Sequence, residues 1–152
     1  MNYEVVELRE KKVAGIRRRT SNSDANMSGE IGSAWQKFFE GGIYASIPGK
    51  IDGKTLGVYT NYEKDVNGAY DVLVCCEVEA EAKLSVDVST EIIPKGKYAK
   101  FVIHGDVKEA VQAFWMEFWK MDLDRKYSCD FEEYQGGEDL KQGEIHVYIS
   151  LN

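Results

Sequence analysis

Two short phrases in this 152-residue chain set carboxylates beside aromatic rings: Tyr59-Thr60-Asn61-Tyr62-Glu63 in the first half and Phe131-Glu132-Glu133-Tyr134 in the second. Each follows a segment with paired aromatics at helical spacing and precedes an apolar run with strand character, Tyr70 to Val78 and Glu144 to Leu151. Rings around a carboxylate are a means of gripping flat cations: the acid answers the charge and the π-faces stack on the body of the guest. The near-repetition predicts two copies of one supersecondary unit about a pseudo-twofold axis, with the aromatic and acidic groups converging at the seam.

Side chains alternate along a strand, which sorts these candidates by face. In the last strand Ile145, Val147, Ile149 and Leu151 share one face and are assigned to the helices, leaving His146, Tyr148 and Ser150 on the other. If Phe131 points to the core, Glu132 and Tyr134 join Tyr148 in one cluster. In the first phrase Tyr59 and Asn61 share a face opposite Val58, Thr60 and Tyr62, and Tyr59 is the tyrosine expected in the pocket. Trp115 and Trp119 lie beside the stripe of the second helix and are candidate walls, whereas Trp35, Phe38, Phe114 and Phe118 are assigned to the core. His146 shares the face of Tyr148; His104, followed by Gly105 at a strand end, reads as structural.

These residues need a frame. Tyr3 to Arg9 and Lys12 to Thr20 read as a strand and its hairpin partner. Met27, Ile31, Ala34, Trp35, Phe38 and Phe39 form a helical stripe after the capping residues of Ser21-Asn22-Ser23-Asp24 and before Gly41-Gly42. Ile43 to Lys54 reads as an irregular loop. Leu56 to Tyr62 and Tyr70 to Val78 are strands joined through Asp65, Asn67 and Gly68. The grammar then restarts: strands from Leu84 to Ile93 and Lys97 to His104 flank Pro94-Lys95-Gly96, and Asp106 caps a helix with Val107, Val111, Phe114, Phe118 and Met121 on its stripe. Phe131 to Tyr134 and Ile145 to Leu151 complete the second unit. The predicted fold is α+β, a single domain over residues 1–152 with repeats of about 1–82 and 83–152, each a strand-helix-strand-strand unit. Both helices lie on one side of an antiparallel sheet.

A formal net charge of −7 argues against direct nucleic-acid binding, and Arg17-Arg18-Arg19 reads as a solvated strand end. No apolar run is long enough to cross a membrane and the chain opens straight into a strand, so a cytoplasmic protein is expected. The vicinal pair Cys75-Cys76 and the distant Cys129 match neither a disulfide framework nor a metal site, and one thiol of the pair is assigned to the core. No cofactor or metal is expected.

Several motifs in order, Trp35-Gln36-Lys37-Phe38-Phe39, Gly57-Val58-Tyr59-Thr60-Asn61-Tyr62-Glu63 with Tyr70 and Glu77-Val78, Leu123-Asp124-Arg125-Lys126-Tyr127, Asp130-Phe131-Glu132-Glu133-Tyr134, and Glu144-Ile145-His146-Val147-Tyr148-Ile149, resemble the GyrI-like effector-binding domains. These occur fused to regulators of the AraC and MerR types and as free-standing proteins. The resemblance implies a duplicated fold whose seam pocket takes lipophilic, often aromatic cations over an acid that matches Glu132, with Tyr148 matching the tyrosine near the chain's end. His146 and Ser150 stand where the family often has a second acid and a proline. Some free-standing relatives hydrolyse strained electrophiles, which here implies Glu132 as general base and Tyr148 polarising the leaving group. The family's name comes from docking on a topoisomerase, so a topoisomerase or a separate regulator is a third class of partner. The leading expectation is a sensor or sequestering protein for amphipathic cationic small molecules.

Overall fold

The computed structural model describes residues 2–21, 27–64, 68–85, 88–135 and 143–152. In chain order these form β1 (Glu4–Leu8), β2 (Lys11–Ser21), α1 (Met27–Glu40), a one-turn α2 (Ile43–Ser46), β3 (Thr55–Thr60), β4 (Ala69–Val78), β5 (Ser89–Ile93), β6 (Gly96–Gly105), α3 (Val107–Phe118), β7 (Cys129–Tyr134) and β8 (Gly143–Ser150). The α+β class, the antiparallel sheet and the shared side of the long helices agree with the sequence. The stretch read as loop contains α2, and the strand expected from Leu84 starts at Ser89. The capping residues Asn22, Ser23 and Asp24, the turn residues Asp65 and Asn67, and the Gly-rich turn after the second acidic phrase lie outside the described residues.

All eight strands join one antiparallel sheet in the order β1-β6-β8-β7-β3-β4-β2-β5. That order is its own mirror about the β7/β3 seam when the repeats are exchanged: β7 matches β3, β8 matches β4, β6 matches β2, and β1 matches β5. The two outermost strands are therefore traded, β1 pairing with β6 of the second repeat and β5 with β2 of the first. The expected hairpin between the first two strands does not form.

The trade bends the sheet. Leu8 and Lys11 are three residues apart, a reach of at most about 11 Å, yet six strand spacings separate β1 from β2, about 29 Å if the sheet were flat. The link from Ile93 of β5 to Gly96 of β6 is equally short. Only a sheet curled until its edges approach satisfies both connections, and Lys11 Nζ accordingly lies 3.9 Å from Glu133 of β7, three strands away.

Curling gives both faces a core. Inside the curl, Val13, Leu56, Val58, Leu73, Cys75, Ile93, Tyr98, Cys129, Phe131 and Tyr148 form one cluster, with Val6 and Leu8 of β1 packed against it. On the outer face α1 buries Ala34 and Phe38 over β2 and β4, and α3 buries Phe114 and Phe118 over β6 and β8. Cys75 and Cys76 do point to opposite faces, but both are buried. Arg17 and Arg19 are more than a solvated end, although Arg19 is half-exposed. They hold Asp71 at 2.7 and 2.9 Å, and Arg17 also reaches Glu91 of the traded β5 at 2.9 Å.

Candidate functional site

Register decides what meets at the seam. Gly57 of β3 pairs directly with Glu132 of β7, and Glu132 pairs in turn with Val147 of β8. Because paired residues share a face, Glu132 and, two residues on, Tyr134 stand on the outer face, in the valley between α1 and α3. Tyr59, two residues after Gly57, stands there too.

Glu132 is 2 % exposed. Its Oε1 accepts from the Tyr59 hydroxyl at 2.9 Å and from the Trp115 indole N–H at 2.7 Å, and its Oε2 accepts from the Tyr134 hydroxyl at 2.7 Å. Trp115 is brought in by α3, whose first turn is fixed by Asp106 accepting from the backbone N–H groups of Lys108 and Glu109, both at 3.1 Å. Phe114 and Phe118 on its buried stripe then leave Trp115 overhanging the seam. Burial pushes the Glu132 carboxyl above the ordinary carboxylate range, and the three hydrogen bonds pull it back only in part. Burial and then the Glu132 charge hold the Tyr59 and Tyr134 phenols well above their usual value, and Tyr70 is pushed up to about 12 by the same two causes. With three neutral donors turned on it, the site is built for the ionised acid, yet among the described residues no Lys, Arg or His pairs with Glu132.

The site is twofold. Trp35 sits T-shaped on Tyr134 with centroids 5.2 Å apart, and Trp115 sits T-shaped on Tyr59 at 5.7 Å. Further out, Phe39 stacks on Trp35 at 6.0 Å and Trp119 leans on Trp115 at 6.4 Å, both about half exposed. Trp35 and Trp115, Phe39 and Trp119, Tyr59 and Tyr134, and Gly57 and Glu132 are thus mates across the seam.

Of the residues singled out from sequence, the structure gathers Glu132, Tyr134, Tyr59 and Trp115, and sets Trp119 on the rim. It does not bring Tyr148 or His146 to them. Tyr148 pairs with Phe131 and stacks on it at 4.7 Å inside the curl, while His146 pairs with Glu133 and lies 2.7 Å from Glu144 on that same inner side. The expectation failed because it took the face away from the helices for a wet one, whereas the curl dries it. Glu132 and Tyr148 therefore do not form a base and polarising pair. Three wall residues were missed: Trp35, assigned to the core; Gly57; and Tyr70, 6.0 Å from Tyr59. The available signal for Trp35 was its place in the Trp35–Phe38–Phe39 pattern, repeated as Trp115–Phe118–Trp119.

A second buried acid lies two residues away. Asp130, fully buried, meets Arg125 at 2.8 Å and accepts from the Tyr62 hydroxyl at 2.6 Å and from the Ser150 backbone N–H and hydroxyl at 2.8 and 3.0 Å. Arg125 is sandwiched by Phe118 and Tyr127, 5.1 and 4.3 Å from the ring centres.

A duplicated, strand-traded α+β sheet with a ring-lined acid on its axis defines an effector-binding fold. The model of the integron-associated effector binding protein family, Cass2, matches residues 4–151, and the chain belongs to that family. The chain is similar to a Bacillus subtilis (strain 168) protein named "Putative transcriptional regulator protein YobU", with 26 % identity over 147 residues, covering 93 % of this chain and 92 % of the relative. Among solved structures it is similar to the integron cassette protein VCH_CASS2 from the mobile metagenome of Vibrio cholerae, with a TM-score of 0.81, 28 % identity, and 99 % and 95 % of the two chains covered. SAV2435, solved bound to tetraphenylphosphonium, shares the fold at a TM-score of 0.77 and 20 % identity, with 100 % and 94 % of the chains covered. No helix among the described residues is long and apolar enough to cross a membrane.

Proposed function

We propose that this protein binds amphipathic cations bearing aromatic groups at the seam, over Glu132, and works as a sensor or sequestering protein for them. One contrast carries the reading. Asp130 and Glu132 are both buried on β7, but Asp130 has its cation in Arg125 at 2.8 Å, whereas among the described residues Glu132 has only neutral donors. A buried carboxylate without a counter-charge is costly, and a guest cation relieves that cost while its rings stack on Trp115, Trp35, Tyr59 and Tyr134. The tetraphenylphosphonium held by SAV2435 is a ligand of this chemistry, and the regulator name of the Bacillus subtilis relative agrees with a sensing role.

The test is binding of tetraphenylphosphonium and of neutral triphenylphosphine oxide to the wild type and to Glu132→Gln. The cation is expected to lose about tenfold or more, the scale of a charge-assisted contact, and the neutral compound to change by less than about twofold. Equal losses for the two compounds overturn the charge-based reading.

A further inference from the structure

The seam's symmetry sets a task for each side chain through its mate. Tyr59 and Tyr134 perform the same task, each giving its hydroxyl to Glu132. The tryptophans do not. Trp115 gives its indole N–H to Oε1 at 2.7 Å; Trp35, held in the same T-shaped contact with its own tyrosine, makes ring contacts with Phe38, Phe39 and Tyr134 and no hydrogen bond among the described residues. The acceptor is missing because the position that would carry it is Gly57, the mate of Glu132. Cζ2 of the Trp35 ring lies 3.6 Å from where a β-carbon on Gly57 would sit, and the twofold relation to Trp115, whose N–H meets Glu132, turns the Trp35 indole N–H toward the seam.

We propose that the Trp35 indole N–H, beside Gly57 on the seam, is a subsite for an uncharged hydrogen-bond acceptor on the ligand. The preferred class of guest is then an amphipathic cation with an ether, carbonyl or hydroxyl oxygen a short distance from its charged centre. This rests on the cation-binding reading and narrows it. Trp35 is half-buried, so water can serve its N–H when no guest is bound. A guest that expels this water without offering an acceptor leaves a donor unpaired, and sites built on such donors reject the analogue that lacks the partner. An uncharged hydrogen bond of this kind is worth a factor of about five in affinity.

The experiment uses two phosphonium cations of equal charge and near-equal size, (2-methoxyethyl)triphenylphosphonium and n-butyltriphenylphosphonium, in which one ether oxygen replaces one methylene. Their dissociation constants are measured by calorimetry for the wild type and for Trp35→Phe. The advantage of the ether over the alkyl cation is expected to fall about fivefold in Trp35→Phe, over and above the loss of ring stacking that both cations share. An unchanged ratio overturns the subsite. An independent reading uses the wild type itself, in case Trp35→Phe folds poorly. The indole N–H proton resonance of Trp35, assigned by comparison with Trp115→Phe and Trp119→Phe, should lie further downfield with the ether than with the alkyl cation. Coincident positions overturn the proposal. If neither phosphonium binds the wild type, or Glu132→Gln binds both as tightly, the cation-binding reading is the part that fails, and the subsite falls with it.

Discussion

Gly57 faces Glu132 across the seam so closely that a β-carbon placed on it would lie 3.3 Å from Oε2. The carboxylate cannot simply retreat, since three hydrogen bonds fix it. Gly57→Ala is therefore expected to destabilise the protein by about 1 kcal/mol, although alanine is otherwise the better strand residue, because the new methyl is crowded against Oε2 while Trp35 Cζ2 at 3.6 Å closes the other side. Tetraphenylphosphonium affinity should drop in the same variant. Chemical denaturation and a binding titration check the two effects, and a variant more stable than wild type would show that the acid has room to move.

The exchange of these two residues is a stronger test of the axis. In the double variant Gly57→Glu and Glu132→Gly, the new acid on β3 should be received by Tyr134, Tyr59 and the indole of Trp35. Cation affinity should recover to within about tenfold of wild type, while the single variant Glu132→Gly should bind far more weakly. Loss equal to that of the single variant would mean that the mates are not interchangeable.

The pH dependence of stability at Glu132 has a definite sign. Burial raises its folded-state carboxyl above the unfolded value, so between those two values the native state holds more protons and stability falls as pH rises. Above the folded value the ionised acid is a standing cost. Glu132→Gln is accordingly expected to be more stable than wild type at pH 7.5, with the gap narrowing as pH falls towards the ordinary carboxyl range around 4.5. Its amide can keep an oxygen for Trp115 and Tyr59 and donate to Tyr134. Thermal melts of both proteins across pH 4.5 to 8 read the difference directly, and a gap that widens on acidification would contradict it.

Arg125 and Asp130 form a buried pair of the opposite kind. Removing the cation in Arg125→Gln strands a fully buried acid, for which a loss of about 3 kcal/mol is expected. Phe118 loses its guanidinium cover at the same time. Denaturation by urea measures the loss, and a change under about 1 kcal/mol would show that Tyr62 and Ser150 suffice for Asp130.

Tyr148→Phe separates the site expected from sequence from the one in the structure. With Tyr148 packed on Phe131 inside the curl, the variant should bind tetraphenylphosphonium within about twofold of wild type, whereas Tyr59→Phe, which takes a donor from Glu132, should not. A large loss in Tyr148→Phe would place the ligand on the inner face.

The contrast between Tyr59 and Tyr148 shows what the sequence could and could not say. Periodicity and turn residues located the two long helices and, to within a few residues, most strands, and the repeated acidic-aromatic phrases marked the seam. Alternation also sorted Glu132 and Tyr134 together, since that follows from local geometry alone. Tyr148 was misassigned because its face depends on register across the sheet and on the curl. Both are set by the trade of β1 and β5, a long-range pairing that overrides the hairpin suggested by two neighbouring strands. Trp35 was missed for a related reason: Phe38, three residues on, is fully buried, and only the orientation of α1 over the seam separates a core ring from a wall ring.

The asymmetry between positions 57 and 132 could not arise in an assembly of two identical chains. A homodimer with this architecture would set either two glycines or two glutamates face to face on its axis, leaving no anion or a repelling pair. Covalent joining of the halves releases each from being a copy of the other, so a single negative charge can occupy the axis between two otherwise matched sets of tyrosine and tryptophan.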